Sequence, residues 1–223
     1  MHLSILKAFN PDILVEMLKT AYSFEEWNKL LYTADILHNY AQRIYEEGQY
    51  CKAMGLTRTL IKMQHPIVYY FGFSQQMRGI AYQQLGDYEQ AKDSIYRYAE
   101  LGWLEDLGKE GLEIAREFRF LAKVNLYAVE ILSGKTELLN DYVRFVQTYP
   151  KGIPDGLVVI MQTALCYDLN VDEQLRLLTD EITGIKSEQD GDVQSKYRRF
   201  CYLRGLYNRR TAKNFVTESC RVL

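Results

Sequence analysis

The stretch Gln84–Ala91, QLGDYEQA, is echoed upstream by Glu46–Ala53, EEGQYCKA. Gly48 answers Gly86, Tyr50 answers Tyr88 and Ala53 answers Ala91, each 38 residues apart, and Ala41 answers Gly79 at the same offset. Repetition at a spacing of a few tens of residues marks stacked helical units, each too small to bury its apolar face alone. Both stretches therefore read as a glycine turn joining two helices.

The rest of the chain fits that reading. Only four prolines occur, at 11, 66, 150 and 154, and the intervals between them are rich in good helix formers. Asn10–Pro11 reads as an N-cap with Pro at the first helical position, and Ser23–Glu26 as a capping box. Polar turns at EEGQ, QLGD, LSGK, YPKGIP and KSEQDGD delimit helices expected at about 11–20, 24–47, 50–63, 67–85, 88–101, 109–133, 135–148, 155–168, 171–184, 193–209 and 211–222. No stretch alternates with period two for long enough to make a strand. Helices joined by such short turns pair antiparallel, with Ile80, Leu85, Ala91, Ile95 and Tyr98, and later Leu121, Val124, Leu126, Val129 and Leu132, turned inward. The expected fold is all-α, a right-handed superhelix of antiparallel pairs forming one domain over 1–223. Its most repeat-like part is 35–102, and the Pro/Gly-rich 149–156 is read as a longer turn within it.

With 48% hydrophobic residues in 223, the chain can fill a continuous core. The net charge is −2 and the pI about 6.0, which excludes a broad basic field for nucleic acid or an anionic membrane. The densest basic group, Lys196, Arg198, Arg199, Arg204, Arg209, Arg210 and Lys213, reads first as a solvated helix face and second as an anion contact. Cys51, Cys166, Cys201 and Cys220 are too scattered for a metal or redox motif and fit free thiols in a reducing cytosol. No basic segment precedes an apolar leader, and no apolar run approaches the ~20 residues of a membrane span. A cytoplasmic protein is expected.

The segment Arg78–Ile95, RGIAYQQLGDYEQAKDSI, resembles a tetratricopeptide repeat. Gly79, Tyr82, Ala91 and Ile95 stand at that pattern's glycine, tyrosine, alanine and phenylalanine positions; Arg78 replaces its leucine, Tyr98 its second alanine and Trp103 its proline. Gly79 and Ala91 remove bulk where two helices touch. Ala41, Ile44, Gly48, Tyr50 and Ala53 make a weaker second copy. More narrowly, Arg78–Gly79, Tyr82, Leu85–Tyr88, Ala91, Tyr98, Gly102–Trp103, Phe118, Ala122–Lys123, Asn125–Tyr127 and Leu139–Tyr142 are similar to the sensor region of Gram-positive regulators. Those proteins carry an Xre-type helix-turn-helix before a tetratricopeptide-like sensor and are similar to the peptide-pheromone-responsive regulators. No helix-turn-helix is legible in residues 1–35, so DNA contact is expected only through a domain absent from this chain.

No enzyme and no cofactor are expected from the residues. His2, His38 and His65 lack partners at metal-ligand spacing, and SGKT at 133–136 lacks the upstream glycine of a nucleotide-binding loop. Most of the eighteen tyrosines read as wedges between helices. Asn125, in the apolar run LAKVNLYAVEIL, reads equally as a peptide-backbone contact and as a buried structural hydrogen bond. His38, Gln42, Tyr45, Gln76 and Gln83, on what the repeat register makes the first helix of each pair, are expected to line a concave groove. Their uncharged polar side chains suit a short peptide or protein segment. Two readings follow: a peptide-responsive sensor and a constitutive adaptor. A homodimer is expected through the terminal helices, where Phe200, Leu203, Leu206, Tyr207, Phe215 and Val222 would be left at an open end.

Overall fold

Asn10 accepts a hydrogen bond from the Asp12 amide at 2.9 Å with Pro11 next in line, so the first helix starts where the Asn–Pro signal places it. The structure, a computed structural model, describes residues 10–57, 63–178, 180, 183 and 191–219, excluding the side chains of 192 and 213–219. The described residues form nine α-helices and no strand: α1 Pro11–Ser23, α2 Trp27–Ala53, α3 Ile67–Leu85, α4 Tyr88–Ala99, α5 Gly108–Leu132, α6 Leu139–Gln147, α7 Ile153–Tyr167, α8 Asp172–Leu177 and α9 Gly191–Ser219. Short 3-10 turns at Thr136–Leu138 and Pro150–Gly152 lead into α6 and α7. Two compact units, Met1–Leu126 and Tyr127–Leu223, divide inside α5 and not at 149–156.

In the first unit α1 packs on α2, α2 on α3 and α3 on α4. Asp35, His38 and Tyr45 of α2 meet Arg78, Gln75 and Phe71 of α3 in descending order, so these helices run antiparallel. At the α3–α4 turn Gly86 adopts φ +80°, its amide reaching the Gln83 carbonyl and the Asp87 amide that of Tyr82. This left-handed stop suits glycine. Asp87 then caps α4 by accepting from the Gln90 amide at 3.2 Å. Across the hairpin a Cβ on Gly79 would stand 3.6 Å from the Ala91 carbonyl oxygen, Ile95 and Ser94, so the expected Gly79–Ala91 crossing is present. A tighter contact was not legible in the sequence: the Phe118 ring of α5 lies 2.3 Å from where a Cβ of Gly72 would be. Leu14, Leu18, Leu30, Leu37 and Phe71 fill the interior, each contributing about 1.5–3 kcal/mol of burial. Leu85, expected inward, is exposed.

Three boundaries differ from expectation. Ser23 does not open a capping box: its hydroxyl donates back to the Lys19 carbonyl at 2.8 Å, α1 ends there, and α2 starts at Trp27 after Glu26, which makes no side-chain cap. The helix expected at 24–47 and the start of the one expected at 50–63 are one helix through Ala53, with Gly48 inside it, while residues 58–62 lie outside the described residues. That helix stops at Gly55, φ +64°, where the Gly55 amide reaches the Lys52 carbonyl and the Leu56 amide that of Cys51. The helix expected at 193–209 and the described part of the one expected at 211–222 are likewise one through Ser219, because Thr211 hydrogen-bonds back to the Tyr207 and Asn208 carbonyls; residues 220–222 lie outside the described residues.

In the second unit α6 packs on α7 and α7 on α9. Val146 lies 2.9 Å from where a Gly156 Cβ would be, and Tyr142 is wholly buried. Arg210 of α9 donates to the Ala164 and Leu165 carbonyls at 2.8 and 3.1 Å and pairs with Asp168 at 3.1 Å, satisfying the C-terminal end of α7. The Tyr207 hydroxyl accepts from the Val171 amide at 3.2 Å and donates to Asp172 at 2.9 Å. Phe200 and Tyr207 are thus buried within this unit and are not left at an open end as the dimer expectation required. The Phe215 side chain and Val222 lie outside the described residues.

Candidate functional site

The six residues singled out in the sequence separate into three places. His38, Gln42 and Tyr45 lie on α2, which packs against both α1 and α3. They face the α3 side that carries Phe71, Gln75 and Arg78. Gln75 Nε2 donates to His38 Nδ1 at 3.2 Å, and the His38 ring stands edge-on to Phe71 at 5.5 Å. Burial, then the charges of Arg78 and Arg97, hold the His38 pKa below the ordinary value, which favours the neutral ring. Arg78 pairs with Asp35 and lies over the Tyr82 ring. Tyr45 stands edge-on to Phe71 and to Trp103 at 6.2 and 5.6 Å, while its hydroxyl accepts from the Glu105 amide at 3.1 Å. Lys52 pairs with Asp106, and Gln42 donates to Glu46 at 2.7 Å. The segment Leu101–Asp106 is thereby fastened to the last turns of α2.

Gln76 and Gln83 lie on the opposite side of α3. At 100° per residue, Tyr69, Phe73, Gln76, Ile80 and Gln83 form one stripe, about half a turn from Phe71, Gln75, Arg78 and Tyr82. The Tyr69 and Phe73 rings stack at 5.4 Å with an interplanar angle of 9°. Gln76 and Gln83 are half-buried, and neither amide has a hydrogen-bond partner among the described residues. Two turns of helix set them about 10.5 Å apart. The α3 stripe thus presents two amides without a partner among the described residues beside the half-buried Tyr69, whose ring stacks on the buried Phe73. The heptad spacing of the glutamines was legible in the sequence; Tyr69 and Phe73, four residues apart upstream of them, carried the signal for the rest.

Asn125 sits on α5, and its Nδ2 donates to the Tyr98 hydroxyl at 2.8 Å. Tyr98 is fully buried, and burial, partly offset by this hydrogen bond, raises its pKa. The amide therefore supplies the partner a buried hydroxyl needs. Of its two readings from sequence, the structural bond is the one present.

Among the described residues no group of three His, Cys, Asp or Glu could hold a metal ion, and no helix is long and apolar enough to cross a membrane. Cys51, Cys166 and Cys201 are unpaired. Within the basic group, Lys196 pairs with Asp155 at 3.0 Å, Arg210 caps α7 and Arg204 lies over Phe200, so part of it serves the unit itself. No family model, curated protein or solved structure matches the chain.

Proposed function

We propose that this chain is the ligand-responsive sensor of a bacterial transcriptional regulator, and that it binds a short peptide along the α3 stripe. On this reading the helix pairs continue as a right-handed superhelix, the protein is cytoplasmic, and DNA is contacted through a helix-turn-helix outside this chain. The observation that carries the peptide reading is the pair of half-buried amides of Gln76 and Gln83, neither with a hydrogen-bond partner among the described residues. Each offers one donor group and one acceptor. Their separation of about 10.5 Å matches three residues of extended chain at roughly 3.3 Å each, so both can engage one backbone, with the half-buried Tyr69 ring beside them for an apolar side chain. No charge on the stripe selects for a carboxylate or phosphate.

The test is calorimetric titration of short synthetic peptides, screened first by thermal shift, on the wild type, Gln76→Ala/Gln83→Ala and Asn125→Ala. The double variant is expected to lose about 1–3 kcal/mol of affinity while keeping its melting temperature; Asn125→Ala is expected to lower the melting temperature and leave affinity per folded molecule unchanged. Binding unaffected by the double variant removes the α3 stripe as the site. Small-angle scattering with and without peptide separates sensor from constitutive adaptor, since only a switch binds two shapes differently.

A further inference from the structure

Helices α1, α4, α6 and α8 each set a carboxylate three or four residues from a cation, as in Asp93–Arg97 at 2.9 Å and Glu173–Arg176 at 2.7 Å, the spacing that lets opposite charges meet on one helix. α9 departs from this. Residues 193–213 hold seven Lys and Arg, and no Asp or Glu occurs from 193 to 217, so none of these cations is paired along the helix. The helix dipole does not account for the excess, since Lys196, Arg198 and Arg199 stand in the first third of α9, toward its positive end. Other elements and one ring take part of the charge: Asp155 pairs with Lys196 at 3.0 Å, Asp168 with Arg210 at 3.1 Å, and Arg204 lies over Phe200. Arg198 and Arg209 have no partner among the described residues.

These two arginines share one face. At 100° per residue Arg198, Tyr202, Gly205 and Arg209 fall within about 60° of one another, half a turn from the buried Phe200 and Tyr207. All four are exposed, Tyr202 at 67%, and Gly205 leaves the middle of the stripe bare, with nothing within 4 Å of where a Cβ would be. Eleven residues of helix set Arg198 and Arg209 about 16.5 Å apart.

We propose that this stripe docks a short acidic segment of a partner protein. Each guanidinium can fork onto a carboxylate through two N–H donors, and the Tyr202 ring between them offers an amphipathic anchor. Two carboxylates five residues apart on an extended chain, at roughly 3.3 Å per residue, span the same distance. Charge balance limits the occupant's length. The whole chain carries −2, so outside 193–213 acids outnumber bases, and a long polyanion such as duplex DNA or an anionic bilayer would run off the stripe into like charge. The inference does not rest on the peptide reading, because Gln76 and Gln83 belong to the first unit and α9 to the second.

Fluorescence anisotropy at low salt tests it, with a labelled dodecapeptide of glutamates around one central leucine, its glutamine counterpart, and a DNA duplex; flotation with phosphatidylserine vesicles completes the set. The proteins are the wild type, Arg198→Glu/Arg209→Glu, Tyr202→Ser, and Arg144→Glu/Arg176→Glu, a control with the same charge change at exposed positions on α6 and α8. The glutamate peptide should bind and the glutamine peptide should not. The dissociation constant should rise at least tenfold in Arg198→Glu/Arg209→Glu and about threefold in Tyr202→Ser, while the control stays within about twofold of wild type, with circular dichroism unaltered in all. Absence of binding to the glutamate peptide overturns the proposal, as does an equal loss in the control. Tighter binding to the duplex or the vesicles than to the glutamate peptide also overturns it.

Discussion

Glu46–Ala53 and Gln84–Ala91 share a glycine, a tyrosine and an alanine in register, yet one continues a helix and the other ends it. After Gly86 comes Asp87, whose short carboxylate accepts the Gln90 amide and starts a new helix within one residue. After Gly48 comes Gln49, too long and flexible to cap its own backbone. A glycine inside a helix costs only about 1 kcal/mol relative to alanine. Beyond Gly48 the last turn of α2 carries Lys52, paired with Asp106, and just before it Tyr45 holds the Glu105 amide and the Trp103 ring. These contacts outweigh a helix-breaking tendency that no cap supports. The residue after a glycine, more than the glycine, decides whether the chain turns.

The difference reaches the candidate site. His38 and Gln76 stand 38 residues apart, as do Tyr45 and Gln83, so a register built on the repeat puts all four in one groove. The polar face of α2 meets Arg78 and Gln75 on the far side of α3 from Gln76 and Gln83. Sequence-equivalent residues thus occupy opposite sides of one helix.

Substitution is expected to have its largest effect at the α3–α4 helix crossing. Gly79→Leu, and separately Ala91→Leu, should overpack the α3–α4 contact and lower stability in urea by about 1–3 kcal/mol; unchanged midpoints in both would mean the hairpin is misplaced. Opposite signs are expected at the paired glycines. Gly86→Ala forces a side chain to φ +80° and should cost about 1–2 kcal/mol, whereas Gly48→Ala, in a helix interior, should gain about 0.5–1 kcal/mol. Equal losses at both would restore a turn at Gly48.

The smallest effect concerns protonation. His38 has its pKa lowered in the folded chain, first by burial and then by Arg78 and Arg97, against about 6.5 when unfolded. As pH falls below about 6.5 the unfolded chain takes up a proton that the folded chain resists, so stability declines until the folded pKa is passed. Unfolding free energy should therefore fall from pH 7.5 to 5.5, and His38→Gln should flatten that slope, while Gln76→Ala should leave it as it is. A slope identical in His38→Gln and wild type would place the ring in solvent.

What the sequence made legible follows from how local each signal is. Asn10–Pro11, Gly86–Asp87 and the Gly79–Ala91 crossing depend on residues within one turn or one hairpin, and they appear where expected. The α2 extension depends on Leu101–Asp106, some 50 residues away, and no local pattern announces it. The same holds for Gly72, whose role depends on Phe118, and for Phe200 and Tyr207, whose burial depends on α7 and the segment before α8. Asn125 looked anomalous in an apolar helix for a sound reason: it serves Tyr98, on another helix.

The account turns on whether α2 runs unbroken through Gly48, and backbone NMR measures this directly. Helical 13Cα shifts and slow amide exchange should persist without interruption from Glu46 through Cys51 and end at Gly55, while the same probes break at Gly86 and resume at Tyr88. Non-helical shifts with fast exchange at Gly48, Gln49 and Tyr50 would contradict it.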